Sequence, residues 1–253
     1  MLFLILPALA SPFCVRASQP VGFKPALDLA LTGAGAGTFL VGRLIPQHEA
    51  SPWVPPLDRD VPTHPDENAA RASDDLLIGL SAAAVVNGGL IGGICWGNQR
   101  SLASLYPILE VVEMEALANG PNQLLKRAVG RPRPYTQGDG FTGKDDDFQS
   151  FYSGHTTNSA ATTSLMAGMW ARSLTDRRWV WASAQILAGT AGGLGVGSLR
   201  VMAARHYWSD VMVGTGAGVL AGFLPFLPDY LNRNGLELTI LPMPDGWMLS
   251  GRF

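Results

Sequence analysis

Three short clusters hold side chains of the kinds that handle phosphate. The first runs Lys126-Arg-Ala-Val-Gly-Arg-Pro-Arg133-Pro134, the second is Ser153-Gly154-His155, and the third joins Arg200 to His206 and Asp210. Phosphoryl transfer spreads negative charge over three equatorial oxygens, so its catalysis consists mainly of cations and N–H donors set around them. Lys126, Arg133 and Arg200 supply such charge, and an arginine can grip two oxygens at once. Ser153 and Gly154 stand where a helix is expected to open, and there free backbone N–H groups and the helix dipole favour an anion. Glycine also admits a close backbone approach that a side chain would block.

Two histidines complete the set. His206 and Asp210 are four residues apart, so on a helix they share a face. A carboxylate in that place fixes the imidazole tautomer and stabilises the cation formed after attack on phosphorus. His155, at the head of another helix, is placed to protonate the leaving oxygen as general acid.

These clusters resemble the three signature motifs of the type 2 phosphatidic acid phosphatase and vanadium haloperoxidase superfamily: Lys-x6-Arg-Pro, Pro-Ser-Gly-His and Ser-Arg-x5-His-x3-Asp. Lys126 with Arg133-Pro134 fits the first; Arg131-Pro132 does not, because its lysine would have to be Leu124. Tyr152 stands for Pro in the second motif and Leu199 for Ser in the third. The resemblance covers about Leu117 to Pro228. It implies that Lys126, Arg133, Ser153, Gly154 and Arg200 bind phosphate, that His206 forms a phosphohistidine, that Asp210 orients it, and that His155 acts as acid. It implies no metal and no cofactor, with vanadate able to sit in the same cradle as a phosphate mimic.

The elements that must position these residues read as helices. Apolar runs between breakers give about six: Pro25 to Leu44, Leu76 to Trp96, Ser101 to Val129, His155 to Arg172, Trp179 to Arg200 and Ser209 to Phe226. The expected fold is therefore an all-α bundle with the site at one end, and Pro244-Asp245-Gly246 between short apolar runs marks a C-terminal β-hairpin. The chain divides into an apolar segment or signal peptide at 1–17, a helix and polar loop at 18–75, a core at 76–230 and a tail at 231–253. A short helix near Glu67 to Ala72 is expected within the polar loop. Arg131, Arg205 and the run Asp145-Asp146-Asp147 read as solvated loop residues, without the loop spacing of a calcium site. Tyr207 and Trp208 read as packing residues, and Cys95 as a small buried one.

Composition narrows the setting. Hydrophobic residues make up 47% of the 253 and charged residues 15%, with a net charge of −2. No basic block exists to neutralise a nucleic-acid backbone. Neither Cys14 nor Cys95 belongs to a zinc-binding pair. Met1 to Phe13 is apolar, and Val15-Arg16-Ala17 offers small residues where a signal peptidase cuts, although no Lys or Arg precedes the run. Helices near twenty residues long allow a membrane bundle. The positive-inside tendency sets the Arg172 to Arg178 loop in the cytoplasm and the loops after Lys126 and Arg200 outside. The expectation is a phosphohydrolase of a bacterial-type cell envelope, in the inner membrane with a periplasm-facing site or periplasmic and membrane-associated. Its substrate would be a phosphorylated lipid or small phosphoester. A vanadium-dependent haloperoxidase and a non-catalytic envelope protein retaining the fold stand as alternatives.

Overall fold

A computed structural model of the protein describes residues 24–49, 55–99, 102–232, 237–243 and 246–252. The expected signal segment at 1–17 lies outside the described residues. Among the described residues, six long helices form the body: α1 (Lys24–Leu44), α2 (Glu67–Gln99), α3 (Tyr106–Val129), α4 (Gly154–Leu174), α5 (Arg178–Met202) and α6 (Trp208–Phe223). A short α7 (Leu227–Asn232) leads to an antiparallel hairpin of β1 (Glu237–Met243) and β2 (Gly246–Arg252), closed by the pairing of Met243 with Gly246. The all-α bundle and its terminal hairpin agree with the sequence reading.

The helix expected from Ser101 begins at Tyr106, and the boundary that differs most is the start of α2. α2 begins at Glu67, so the short helix expected there is continuous with the apolar helix expected from Leu76. The Asp66 carboxylate accepts from the N–H groups of Asn68 (2.9 Å) and Ala69 (3.1 Å), which caps the helix and satisfies its first donors. Alanines 69, 70 and 72 then carry the helix through a polar stretch that has no apolar face of its own.

α4 is the central helix, held between α5 and α6. Small residues set that packing. Gly214, Gly218 and Gly222 recur every four residues on α6, against Ser153, Thr157 and Ala161 at the same spacing on α4. A Cβ on Gly218 or Gly222 would collide with the carbonyl of Thr157 or Ala161, so the two backbones meet at a distance only glycine allows. The core beneath this contact joins Met114, Leu165, Met169, Phe226, Ile91 and Cys95. At the end of the bundle away from the clusters, Arg172 makes a two-pronged pair with Glu110 (3.0 and 3.1 Å) and a third bond to Asp229 (2.9 Å).

The outer surface is apolar to an unusual degree. Ile78, Val85, Val86 and Leu90 on α2, Ile186 and Leu187 on α5, and Met212 and Leu220 on α6 are each more than half exposed. Among the described residues, the helices at 67–97 and 208–230 are long and apolar enough to cross a bilayer, and only 22% of the first one's apolar window is buried. A soluble core helix would hide most of that surface.

Candidate active site

Each cluster reaches the site because a helix stops or starts there. Gly130 takes a left-handed conformation (φ 60°) and its N–H bonds the Lys126 carbonyl at 3.1 Å, ending α3 and leaving Lys126 in its last turn. Ser153 opens α4: its Oγ accepts from the N–H of Thr156 and from the Thr156 hydroxyl (2.8 Å). Its own N–H donates to the Asp210 carbonyl at 3.3 Å. Ser153 is thus a buried cap whose polar atoms are engaged inside the chain. Gly154 and His155, next along, present the unpaired N–H groups of the first helical turn. A Cβ on Gly154 would stand 3.4 Å from Lys126 Nζ and 3.0 Å from Asn122 Oδ1, so the ammonium faces this helix start. α5 ends with the Arg205 and His206 N–H groups folded back on the Arg200 carbonyl (3.0 and 3.3 Å).

The cations converge without satisfying one another. Arg133 is buried and gives one Nη to Asp146 at 2.6 Å, and Arg200 is buried and gives one Nη to Asp74 and Ser73, both at 3.1 Å. The Nε–H groups of both arginines are buried without a hydrogen-bond partner among the described residues. Lys126 has no ion pair or hydrogen bond with any of them either. Burial, with Arg133 and Arg200 adding to it and Asp146 and Asp210 opposing, brings the Lys126 ammonium down to about 8. Buried donors left without partners around a concentration of positive charge are what an anion would satisfy.

His206 is almost wholly buried, and its Nδ1 lies 2.7 Å from the Ser150 carbonyl. A carbonyl only accepts, so Nδ1 carries the proton and Nε2 keeps its lone pair. Asp210 does not make this bond. Its Oδ2 stands 3.7 Å from Nδ1 and instead accepts from the Ser150 hydroxyl (2.6 Å) and the Tyr207 N–H (2.9 Å). The carboxylate therefore holds the peptide segment that holds the ring, rather than the ring directly as the four-residue spacing predicts. Burial first, with Arg133 and Arg200 adding and Asp210 opposing, keeps the imidazole neutral down to about 3.

His155 has a partner that sequence spacing does not reveal. Its Nε2 lies 2.7 Å from Asp74 Oδ1, and the same oxygen takes the Arg200 bond. Burial, then Arg200, pushes this histidine down to about 4, with Asp74 opposing and Lys126 adding. Asp74 lies on the polar first turns of α2, where the sequence reads as loop.

Two readings are corrected here. Arg131 is no solvated loop residue: it is 3% exposed, pairs with Asp210 (2.6 Å) and Asp58 (2.9 Å), bonds Ser209 Oγ (2.8 Å), and its guanidinium lies 3.9 Å over the Tyr207 ring. The packing of Asp58 and Tyr207 around it, invisible in the linear sequence, accounts for the burial. Of the three aspartates, Asp145 and Asp146 are exposed as expected, at 66% and 54%, and Asp147 is the one that is buried. Asp145 pairs with Arg127, Asp146 with Arg133, and buried Asp147 accepts from the Tyr135 hydroxyl (2.8 Å) and the N–H groups of Thr142 and Gly143 (both 2.8 Å). Turned to separate partners, they share no ligand-binding centre. Tyr207 packs as expected, with its hydroxyl accepting from Gln137.

The PAP2 superfamily profile matches residues 107–230, the stretch that contains every cluster above. Residues 107–230 belong to the PAP2 superfamily. A curated relative, the lipid A 1-phosphatase of Rhizobium johnstonii (strain DSM 114642 / LMG 32736 / 3841), is 33% identical over 154 residues, covering 58% of this chain and 54% of that protein. The chain thus spans about half the length of the curated relative it matches. No solved structure matches. The sequence resemblance and the family match rest on the same helices, α3 to α6.

Proposed function

We propose that this protein is a metal-independent phosphatase that hydrolyses a phosphomonoester or diphosphate of a lipid through a phosphohistidine on His206. The observation that carries the reading is the pair of buried, unpartnered Nε–H donors on Arg133 and Arg200, gathered with the Lys126 ammonium beside a neutral histidine whose Nε2 lone pair is available. In the first step Nε2 attacks phosphorus, a P–N bond forms and the P–O ester bond breaks, while His155 gives its proton to the departing oxygen. Water then attacks the phosphohistidine, passing a proton back to His155, and inorganic phosphate leaves. The cations and the first N–H groups of α4 hold the equatorial oxygens through both steps.

His155 must be protonated to serve as acid, although burial and two cations keep it neutral near pH 7. A phosphate dianion between Lys126 and Arg200 would cancel the charges that hold its proton affinity down. Substrate binding and acid activation are coupled in this way, with Asp74 favouring the protonated ring throughout.

A lipid substrate fits the apolar outer surface, along which acyl chains can lie while the phosphate enters the polar end. The same surface supports a place in a bacterial inner membrane, with α2 and α6 as spanning helices and the site end facing the periplasm. The test is inorganic phosphate release from phosphatidic acid, undecaprenyl diphosphate, phosphatidylglycerol phosphate and p-nitrophenyl phosphate, wild type beside His206→Ala. Release that depends on His206 supports the proposal. Release that survives the substitution, or none from any substrate, refutes it.

A further inference from the structure

Behind His206 lies a buried chain of charges that begins outside the stretch matched by the family profile, at Asp58 in the turn Pro56–Asp58. Resting on the phosphatase reading above, we propose that Asp58 is a positioning residue for the nucleophile: it holds Arg131 so that Asp210 stays on the segment that orients His206.

The grip of Arg131 is divided. Its Nη1 bonds Asp210 Oδ1 at 2.6 Å and its Nη2 bonds Asp58 Oδ2 at 2.9 Å. An arginine facing a single carboxylate frequently takes both of its oxygens at once. Asp58 occupies the second prong, which leaves Asp210 Oδ2 to the Ser150 hydroxyl (2.6 Å) and the Tyr207 N–H (2.9 Å). The Ser150 peptide carries the effect to the ring. Its N–H bonds the Arg131 carbonyl at 3.0 Å, and its carbonyl accepts from His206 Nδ1 at 2.7 Å. Asp58, Arg131, Asp210, Ser150 and His206 are all buried, so these bonds act in a low local dielectric.

Asp58 is itself fixed to the helix that follows His206. Its carboxylate accepts from the N–H (2.9 Å) and the hydroxyl (2.5 Å) of Ser209, in the first turn of α6. Val61, three residues on, packs with Val201, Tyr207 and Val211. Pro55 and Pro56 fix the backbone that leads into the turn. The same part of the chain supplies Asp74 to His155, so both histidines depend on carboxylates from outside residues 107–230.

The charge balance matters when His206 reacts. Once Nε2 bonds phosphorus while Nδ1 keeps its proton, the ring carries a positive charge in a buried place. Asp210 paired with Arg131 alone is formally neutral, whereas Asp58, Arg131 and Asp210 together carry one negative charge. That charge favours the phosphorylated ring over the neutral one, so Asp58 contributes to the chemical step and not to phosphate binding.

The experiment measures kcat, KM and inhibition by orthovanadate and by inorganic phosphate in wild type, Asp58→Asn and Ser150→Ala, on whichever ester of the panel above turns over fastest. Orthovanadate accepts a fifth ligand readily and binds with a bond to Nε2, whereas phosphate rests on the cradle alone. Melting temperatures set an assay temperature at which each variant is folded. In Asp58→Asn, kcat should fall about tenfold with KM within about twofold of wild type. The inhibition constant for vanadate should rise about tenfold while that for phosphate stays within about twofold. Ser150→Ala cuts the same chain at one hydroxyl and should show the same split, and it decides the matter if Asp58→Asn does not fold. Unchanged constants in the folded variants overturn the inference while leaving the phosphatase intact. Equal weakening of vanadate and phosphate also overturns it, because Asp58 would then support the cradle as a whole. Absence of phosphate release by wild type from every ester overturns the phosphatase reading itself.

Discussion

Replacing Asp74 with asparagine isolates the coupling between the two halves of the site. The carboxylate lies 2.7 Å from His155 Nε2 and 3.1 Å from Arg200 Nη1, and its side chain is 54% exposed. Two unit charges about 4 Å apart interact by about 4 kcal/mol at an effective dielectric of about 20, and by about 1 kcal/mol in water. Exposure places Asp74 toward the watery limit, so about 1–2 kcal/mol is the reasonable range. At about 1.4 kcal/mol for each pKa unit, Asp74→Asn lowers the proton affinity of His155 by about one unit. The protonated fraction of the acid then falls about tenfold at fixed pH. Asparagine keeps the shape and a hydrogen-bonding oxygen, so the fold is preserved. The assay is kcat/KM for an alkyl phosphate, whose alkoxide needs a proton to leave, beside p-nitrophenyl phosphate, whose phenolate does not. About tenfold loss for the alkyl ester and less than about threefold for the nitrophenyl ester is expected. Equal losses for the two esters, or no loss for either, would refute a role for Asp74 through His155.

Other perturbations test separate parts of the account. Arg131→Ala leaves Asp58 and Asp210 buried without their cation and should cost about 3–5 kcal/mol, read as a large fall in melting temperature; a fall of a degree or less would contradict the buried pair. Gly218→Val forces a branched side chain into the Thr157 carbonyl, and should prevent folding or cost about 1–3 kcal/mol at the least, whereas a native melting temperature would mean α4 and α6 are not in such close contact. His206, held neutral to about 3 against an ordinary value of 6.5, takes up no proton in the folded state while the unfolded chain does. Its contribution to stability is therefore full above pH 6.5 and is lost as pH falls through the window from 6.5 toward 3, by up to about 1.4 kcal/mol per pH unit. His206→Asn should flatten that slope between pH 7 and 5, and an unchanged slope would show that other groups set it. EDTA should not inhibit and orthovanadate should compete with substrate; strong loss with the chelator, or indifference to vanadate, would count against a cradle made of side chains.

Much of the bundle is legible in the sequence because its helices announce themselves by apolar runs and sharp stops. Gly130 after Lys126 and the polar Ser153-Gly154 at the start of α4 place two of the clusters to within a residue, and the expected hairpin is present, with Met243 paired to Gly246. The relations among the clusters are less legible. Asp74 sits on helical turns whose alanine-rich composition has no apolar periodicity, and only the Asp66 cap shows that the helix has already begun. Arg131 looks like any loop arginine until Asp58, more than seventy residues earlier, and Tyr207 close over it. His206 and Asp210 have the spacing of a direct pair, yet the chain entering α4 brings the Ser150 carbonyl nearer, and the carboxylate acts through that segment instead. Local pattern shows which residues can do the chemistry, and packing decides which of them touch.

The most direct test of the central claim is to trap the covalent intermediate. Wild-type protein mixed with a phosphate-labelled ester and quenched in alkali within a single turnover should carry acid-labile label on the chain, and peptide mapping should put it on His206. Label at that histidine in wild type, absent in His206→Ala, is the predicted result. Full turnover with no label on the chain, or label that persists in the variant, would contradict a histidine nucleophile.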